Sequence, residues 1–286
     1  MKNAITGIDH PVIAVRDMVA ARAVYERLGF TIPPRGSHIE WGTGNWCIMF
    51  AEDYLELRGI VDVNKECHGL DHFLERGQGL MGVALGTVDI EECYSLLVES
   101  GLHPGPVRQL KRNFELAEGT VQPQFSLFFL DETEAPGLMS VVLLQHLTPE
   151  LIRRPDWLSH ANGARGIASM TAVVEDLEAA AVAHARLFGA EAVRREGSAL
   201  VIETEPNTII RVVEPPDLGK LSGVLAVDGA SRVPSLVSIT VAVDDTEKTA
   251  RHLSAGRIDF ARVGDRTIRV GPEETCGVIL DFEEYA

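Results

Sequence analysis

The sequence has no run of lysines and arginines: its 26 basic residues are dispersed among 42 acidic ones, giving a formal net charge of −16. Nucleic acids and anionic membrane surfaces are therefore not expected as partners, because both are bound by clustered cations that release counterions. Cysteine is scarce, with four residues (Cys47, Cys67, Cys93 and Cys276) in 286 and neither a CxxC pair nor zinc-finger spacing. That excludes a disulfide scaffold and a cysteine-built metal site, and reduced thiols in a cytoplasmic setting fit best. The opening MKNAITGIDH lacks the apolar core of a signal peptide, and no apolar run approaches membrane-spanning length. Nucleotide chemistry has no GxGxxG or phosphate-loop glycine cluster to rest on. Acyl transfer has no GxSxG elbow and no Cys–His nucleophile pair.

What is present is an ordinary globular composition, 45% hydrophobic and 24% charged, in a chain long enough for one large or two ordinary domains. Its punctuation repeats. An apolar, strand-like run leads to an aspartate, then to a helical segment, then to a glycine, and this happens four times. The aspartates are Asp17, Asp89, Asp176 and Asp245, and the glycines are Gly29, Gly101, Gly189 and Gly256. Each aspartate suits an N-cap and each glycine a left-handed helix end. In the first segment Val19, Ala23, Val24 and Leu28 recur with helical spacing, and Gly42–Asn45 reads as a hairpin turn. Further strand candidates follow each helix, so each unit reads β-α-β-β-β. The fold class is α+β, four such modules paired into two half-barrel domains. The expected division is residues 1–150, a linker over 151–165 and residues 166–286, with a second connector around 215–235.

Residues 8–60, with DHPVIAV, LGF, GTGN and YLEL, resemble glyoxalase-like domain proteins of the vicinal oxygen chelate superfamily. That superfamily includes glyoxalase I, extradiol dioxygenases and bleomycin-resistance proteins. The resemblance implies paired modules curving around one cavity, with a divalent metal held by first-strand and last-strand residues.

Two buried-looking polar residues point the same way. In YLELRGI, strand alternation puts Tyr54, Glu56 and Arg58 on one face and Leu55 and Leu57 on the other. In the opening strand Ile8, His10, Val12 and Ala14 share a face. An imidazole and a carboxylate thus enter one concavity, a pair suited to Fe, Mn, Ni or Zn. His10 and Glu56 fall on the ligand positions that the resemblance implies. Their alternative is structural: His10 hydrogen-bonded in the core, Glu56 bridged to Arg58. Counting back from the other caps gives Gly82, Ser169 and Val237 or Ser238, none a metal ligand. His146, at the end of SVVLLQH, is the expected third ligand, with strand-end capping as its alternative. Arg211 and Asp281 stand where units three and four match Glu56, so the C-terminal pair is expected to serve packing, dimerisation or a second binding surface.

Glu56 and His38 are the candidate catalytic residues, and Tyr54, Arg58 and Trp46 are candidate pocket residues, with Trp41 and Phe128 further options. HANGA (160–164) reads as linker capping, and His68 and His72 as helix-surface residues. The function expected is a metal-dependent lyase or isomerase acting on a small oxygenated molecule. Ring-opening dioxygenation and non-catalytic binding of a small molecule are the alternatives, and a homodimer is compatible with any of them.

Overall fold

The computed structural model describes residues 4–216 and 233–285. Four modules follow one another. The first is β1 (Ile5–Ala14), α1 (Met18–Arg27), β2 (Gly36–His38), β3 (Thr43–Met49) and β4 (Tyr54–Ile60). A short helix, α2 (Leu70–Arg76), leads to β5 (Gly79–Thr87), α3 (Ile90–Glu99), β6 (Arg108–Leu116), β7 (Gly119–Val121), β8 (Gln124–Leu130) and β9 (Ser140–His146). The third module is β10 (Ala164–Val173), α4 (Leu177–Phe188), β11 (Val193–Glu196), β12 (Ala199–Thr204) and β13 (Thr208–Val213). The fourth is β14 (Ser235–Val243), α5 (Thr246–Ala255), β15 (Phe260–Val263), β16 (Thr267–Val270) and β17 (Ile279–Glu284). Most of the second connector lies outside the described residues.

The four aspartates cap as expected. Asp17 accepts from the N–H groups of Val19 and Ala20 at 2.9 Å, and Asp89 from those of Glu91 and Glu92 at 3.0 Å. Asp176 accepts from Ala179 at 2.9 Å and Asp245 from Glu247 at 2.8 Å. Each satisfies donors the helix cannot, a contribution of about 1 kcal/mol apiece. Gly29, Gly101 and Gly189 take positive φ, but Gly256 sits at φ −76° and Arg257 takes the left-handed place at φ 54°. The buried face of α1 is Ala21 and Tyr25, followed by Leu28, while Val19 is 75% exposed. The spacing of its valines therefore misread that face, because Tyr25 supplies the bulk the core needs. Gly42–Asn45 is not a turn either. β3 begins at Thr43, and the reversal falls just before it.

Each half forms one sheet. The first runs β2-β3-β4-β1-β5-β9-β8-β6-β7, and β2 also pairs with β6, so the sheet closes on itself. The second, β11-β12-β13-β10-β14-β17-β16-β15, shows no such closing pair among the described residues. In both halves the central pair is antiparallel, β1 with β5 and β10 with β14, and each module's last strand joins its own first strand in parallel. Each central pair carries three register shifts at matching places, and the middle one inserts a single residue. Ile8 faces Leu85 and His10 faces Ala84, leaving Asp9 bulged; Ile167 faces Val241 and Ser169 faces Thr240, leaving Ala168 bulged.

The largest apolar core is continuous between the halves, with the Phe30 ring stacked on Phe282 at 5.9 Å. Residues of HANGA hold the connection. Asn162 donates to Leu28 O and accepts from Ala164 N, both at 3.0 Å, and His160 accepts from Thr31 N while donating to Met49 O at the same distance. His184 on α4, fully buried, reaches Pro136 O in the first half at 3.0 Å.

Burial pushes the His184 imidazole down to about 4 despite that hydrogen bond. The native state refuses a proton that the unfolded chain accepts below its ordinary value of 6.5, so stability falls as pH drops through this window. His184→Met is expected to gain on the wild type by on the order of 3 kcal/mol between pH 7 and 4, read as the difference in urea unfolding at each pH.

Candidate functional site

Alternation along β4 sends Leu55 and Leu57 into the core and Tyr54, Glu56 and Arg58 into the interior of the closed first sheet. The bulge at Asp9 changes the alternation in β1. Ile8 stays with the core, while Val12 and Ala14 face the other way, so Ile8 does not share the face of His10 as the unbroken period predicts. The same bulge brings the carboxylate of Asp9 beside the ring of His10.

A row of buried charges results. His146 Nε2 donates to Asp9 Oδ2 at 2.8 Å, and His10 Nδ1 donates to Asp9 Oδ1 at 2.6 Å. The other ring nitrogen of His10 lies 3.1 Å from Glu56 Oε2. Glu56 is further held by Arg58 Nη2 on Oε2 and Asn45 Nδ2 on Oε1, each at 2.5 Å. Tyr54 stacks on His10, ring centroids 4.2 Å apart.

Burial alone would raise the two carboxyls and lower the imidazole. For Asp9, the nearby His146 and His10 outweigh burial and hold the carboxyl well below its usual range. For Glu56, Arg58 and then His10 do the same. His10 is raised above its ordinary value because hydrogen bonds to both carboxylates outweigh its burial. It stands as an imidazolium between two carboxylates.

The closing seam of the sheet supplies the opposite wall. There His38 on β2 is the cross-strand partner of Arg112 on β6. His38 Nδ1 lies 2.7 Å from Thr43 Oγ1 and 3.2 Å from Thr43 O. A carbonyl only accepts, so Nδ1 carries the proton and Nε2 keeps its lone pair. Burial, with the guanidiniums of Arg58 and Arg112, pushes His38 down to about 3, so it is neutral. Arg112 donates to Cys47 Sγ at 3.1 Å, and its Nε has no partner among the described residues. Gly36 is the enabling residue: a Cβ there would lie 2.3 Å from Asn45 Oδ1 and 2.6 Å from Arg112 Cδ.

Between these walls is a cavity of about 40 Å³ lined by His10, His38, Tyr54, Glu56, Arg58 and Arg112, with Trp41, Phe125, Phe129 and several aliphatic side chains completing it. Of the expected pocket residues, Tyr54 and Arg58 are there. Trp46 is not: its indole donates to Met18 O and lies under Arg22, on the α1 side of the sheet. Phe128 belongs to the core, packed on Tyr94. His68 is off the helix, with its ring stacked against Phe129, whereas His72 is exposed on α2. Asp9 and Arg112 had not been singled out. Their signals were a carboxylate next to a histidine in an apolar strand, and an arginine alternating with the buried Leu110 and Phe114.

The donor set does not suit a divalent metal. Register makes Gly82 the equivalent of His10 and Val142 the equivalent of Glu56 in the second module, so that module contributes no ligand. His146 turns to Asp9 and is not among the lining residues, and among the described residues no three His, Cys, Asp or Glu converge on one point. His10 is held as a cation with both nitrogens engaged, and two guanidiniums face the space a metal would need. In the second half the same positions are Ser169, Arg211, Ser238 and Asp281. Asp281 is bound there by Arg269 through two hydrogen bonds of 2.6 and 2.7 Å.

Residues 8–188 match the family model of a glyoxalase-like domain. No curated protein matches the sequence. Among solved structures, a hypothetical protein from Staphylococcus aureus is similar at TM-score 0.69 and 12% identity, covering 97% of this chain and 99% of its own. A triple mutant of 4-hydroxymandelate synthase from Streptomyces coelicolor aligns at TM-score 0.64 and 12% identity, over 98% of this chain and 92% of that one. A xylose isomerase-like TIM barrel/4-hydroxyphenylpyruvate dioxygenase fusion protein aligns at 0.60 and 13% identity, over 99% of this chain and 50% of that one. At these identities the likeness is one of fold. Among the described residues no helix is long and apolar enough to cross a membrane.

Protein purified without a chelating column is expected to hold well below one Fe, Mn, Ni or Zn per chain by mass spectrometry, before and after incubation with each metal. About one ion per chain, lost in both His10→Ala and Glu56→Ala, would show the donor set to be sufficient after all.

Proposed function

The chain belongs to the glyoxalase-like domain family of the vicinal oxygen chelate superfamily, and on that footing we propose that its first barrel catalyses proton transfer in a small oxygenated molecule. The reaction is of the lyase or isomerase type, with His38 as base and His10 as the fixed charge that offsets the oxyanion. One observation carries this reading: two histidines line one cavity, one set between two carboxylates and the other bonded to Thr43 beside two guanidiniums. His10 is kept charged by Asp9 and Glu56, and His38 is kept neutral with a free Nε2 by Thr43 and the two guanidiniums. Pairs of titratable groups driven apart by their surroundings are the usual mark of an acid and a base sharing a site.

In the reaction, Nε2 of His38 takes a proton from the carbon next to a carbonyl. Negative charge grows on the carbonyl oxygen, where the fixed charges of His10 and Arg58 offset it. Glu56 serves as a positioning residue. Its carboxylate, fixed by Asn45 and Arg58, holds His10 in its charged form and is too firmly paired to be the base. A metal-centred version of this chemistry, dioxygenation included, would need a third donor beside His10 and Glu56, which neither Gly82 nor Val142 supplies and which His146, turned to Asp9, does not offer. Non-catalytic binding is the second reading, favoured by the small size of the cavity and by His38 being a weak base while the cavity is empty of counter-charge.

Both histidines are in working form between the low value of His38 and the raised value of His10. Deuterium exchange into dihydroxyacetone in D2O, followed by NMR, is expected to be level from about pH 4 to above 6.5 and to fall on the alkaline side. His38→Gln and His10→Gln should each lose on the order of 10²–10⁴-fold. Wild-type exchange no faster than buffer across small aldehydes and hydroxyketones would leave the binding reading standing and the catalytic one refuted.

A further inference from the structure

Arg112 is 2% exposed, and among the described residues no carboxylate comes within ion-pair distance of it. Its hydrogen bond goes to a thiol that burial pushes up to about 11, so Cys47 is neutral and offers no counter-charge. Phe114 and Phe125 flank the guanidinium, with ring centroids 5.4 and 5.7 Å from Cζ. The other guanidinium in the cavity, Arg58, is ion-paired with Glu56 through Nη2, although its Nε too has no partner among the described residues. Burying a guanidinium without an anion is costly, and aromatic faces recover only part of that cost. The cavity therefore holds a guanidinium that feels Glu56 but has no carboxylate within ion-pair distance among the described residues, with apolar walls from Leu110, Phe125 and Leu127 beside it.

We propose that Arg112 is the anchor for a carboxylate group of the ligand, so that the cavity takes a small organic carboxylate with a short apolar or carbonyl-bearing body. This rests on the reading that the first barrel holds the ligand, and it names the ligand's class. The planar fork of a guanidinium matches a carboxylate through two parallel N–H bonds, and the unpartnered Nε leaves part of that fork unused. A cavity of about 40 Å³ has room for a group of a few atoms. His38 stands beside the anchor as the strand partner of Arg112.

Calorimetry with propanoate, its neutral amide propanamide, and inorganic phosphate tests the assignment on the wild-type chain, Arg112→Met and Arg112→Lys. The expected result is that propanoate binds at least tenfold more tightly than propanamide or phosphate. Arg112→Met should abolish that preference, and Arg112→Lys, which keeps the charge but not the fork, should retain only part of it. Without ligand, Arg112→Met is expected to unfold at a higher urea concentration than the wild type, because it removes an unpaired buried charge; a structural arginine would give the reverse. Equal binding of acid and amide, binding of neither, tighter binding of phosphate, a preference that survives Arg112→Met, or a destabilised Arg112→Met would each overturn the proposal. Exchange into dihydroxyacetone, which carries no carboxylate, is read independently, so either proposal can fail alone.

Discussion

The first barrel is organised around the placement of His10 between Asp9 and Glu56. Three ionised groups in a row, with Arg58 at one end and His146 at the other, have been taken out of water, and none would remain charged there alone. Removing a member takes one partner from each neighbour, in a medium where the Coulomb term is several times stronger than in water. The row requires the bulge at Asp9, since without the extra residue the aspartate would point into the core. It also requires the carboxylate of Glu56 to be gripped from three sides. The local geometry of β1 and β4 therefore follows from one electrostatic requirement.

Duplication makes the comparison internal. The bulge recurs at Ala168, and the parallel pairing of Val12 with Glu56 recurs as Thr171 with Arg211. The backbone is thus shared, and the chemistry differs in the side chains placed on it. In the second half hydroxyls of Ser169, Thr171, Ser238 and Thr240 take the strand positions around the paired Arg269 and Asp281, and that carboxylate is saturated. The first half instead closes through β2 and β6, which is what brings His38 and Arg112 face to face. Closure removes water from the cavity and so makes each fixed charge in it count for more.

The four-module architecture was legible because helix caps are local. An aspartate that accepts from its own first turn needs nothing from the rest of the chain, and four of them at a steady offset reveal the repeat. His10, Glu56, Tyr54 and Arg58 were legible because a polar residue in an apolar strand must have a reason to be there. Trp46 and His146 went astray on orientation. Strand periodicity fixes which residues share a face but not which face the cavity occupies, and a residue at a strand end can turn either way. Asp9 was hidden by the bulge, an insertion of one residue that no period announces. Arg112 was hidden because its partner strand β2 lies more than seventy residues away and is only three residues long.

The same reasoning bears on why the resemblance to metal-dependent relatives runs out halfway round the barrel. One module carries a first-strand histidine and a last-strand carboxylate, whereas its counterpart has glycine and valine at the equivalent positions. Two donors without the other two bind a cation weakly, and arginine at position 58 then competes for the carboxylate from within hydrogen-bonding distance. Once Glu56 is committed to Arg58, the neighbouring His10 gains more from holding a proton than from offering a lone pair. Without a full donor set, these residues pair with one another instead. The result is a buried set of charges, each fixed in place by its neighbours before any ligand arrives.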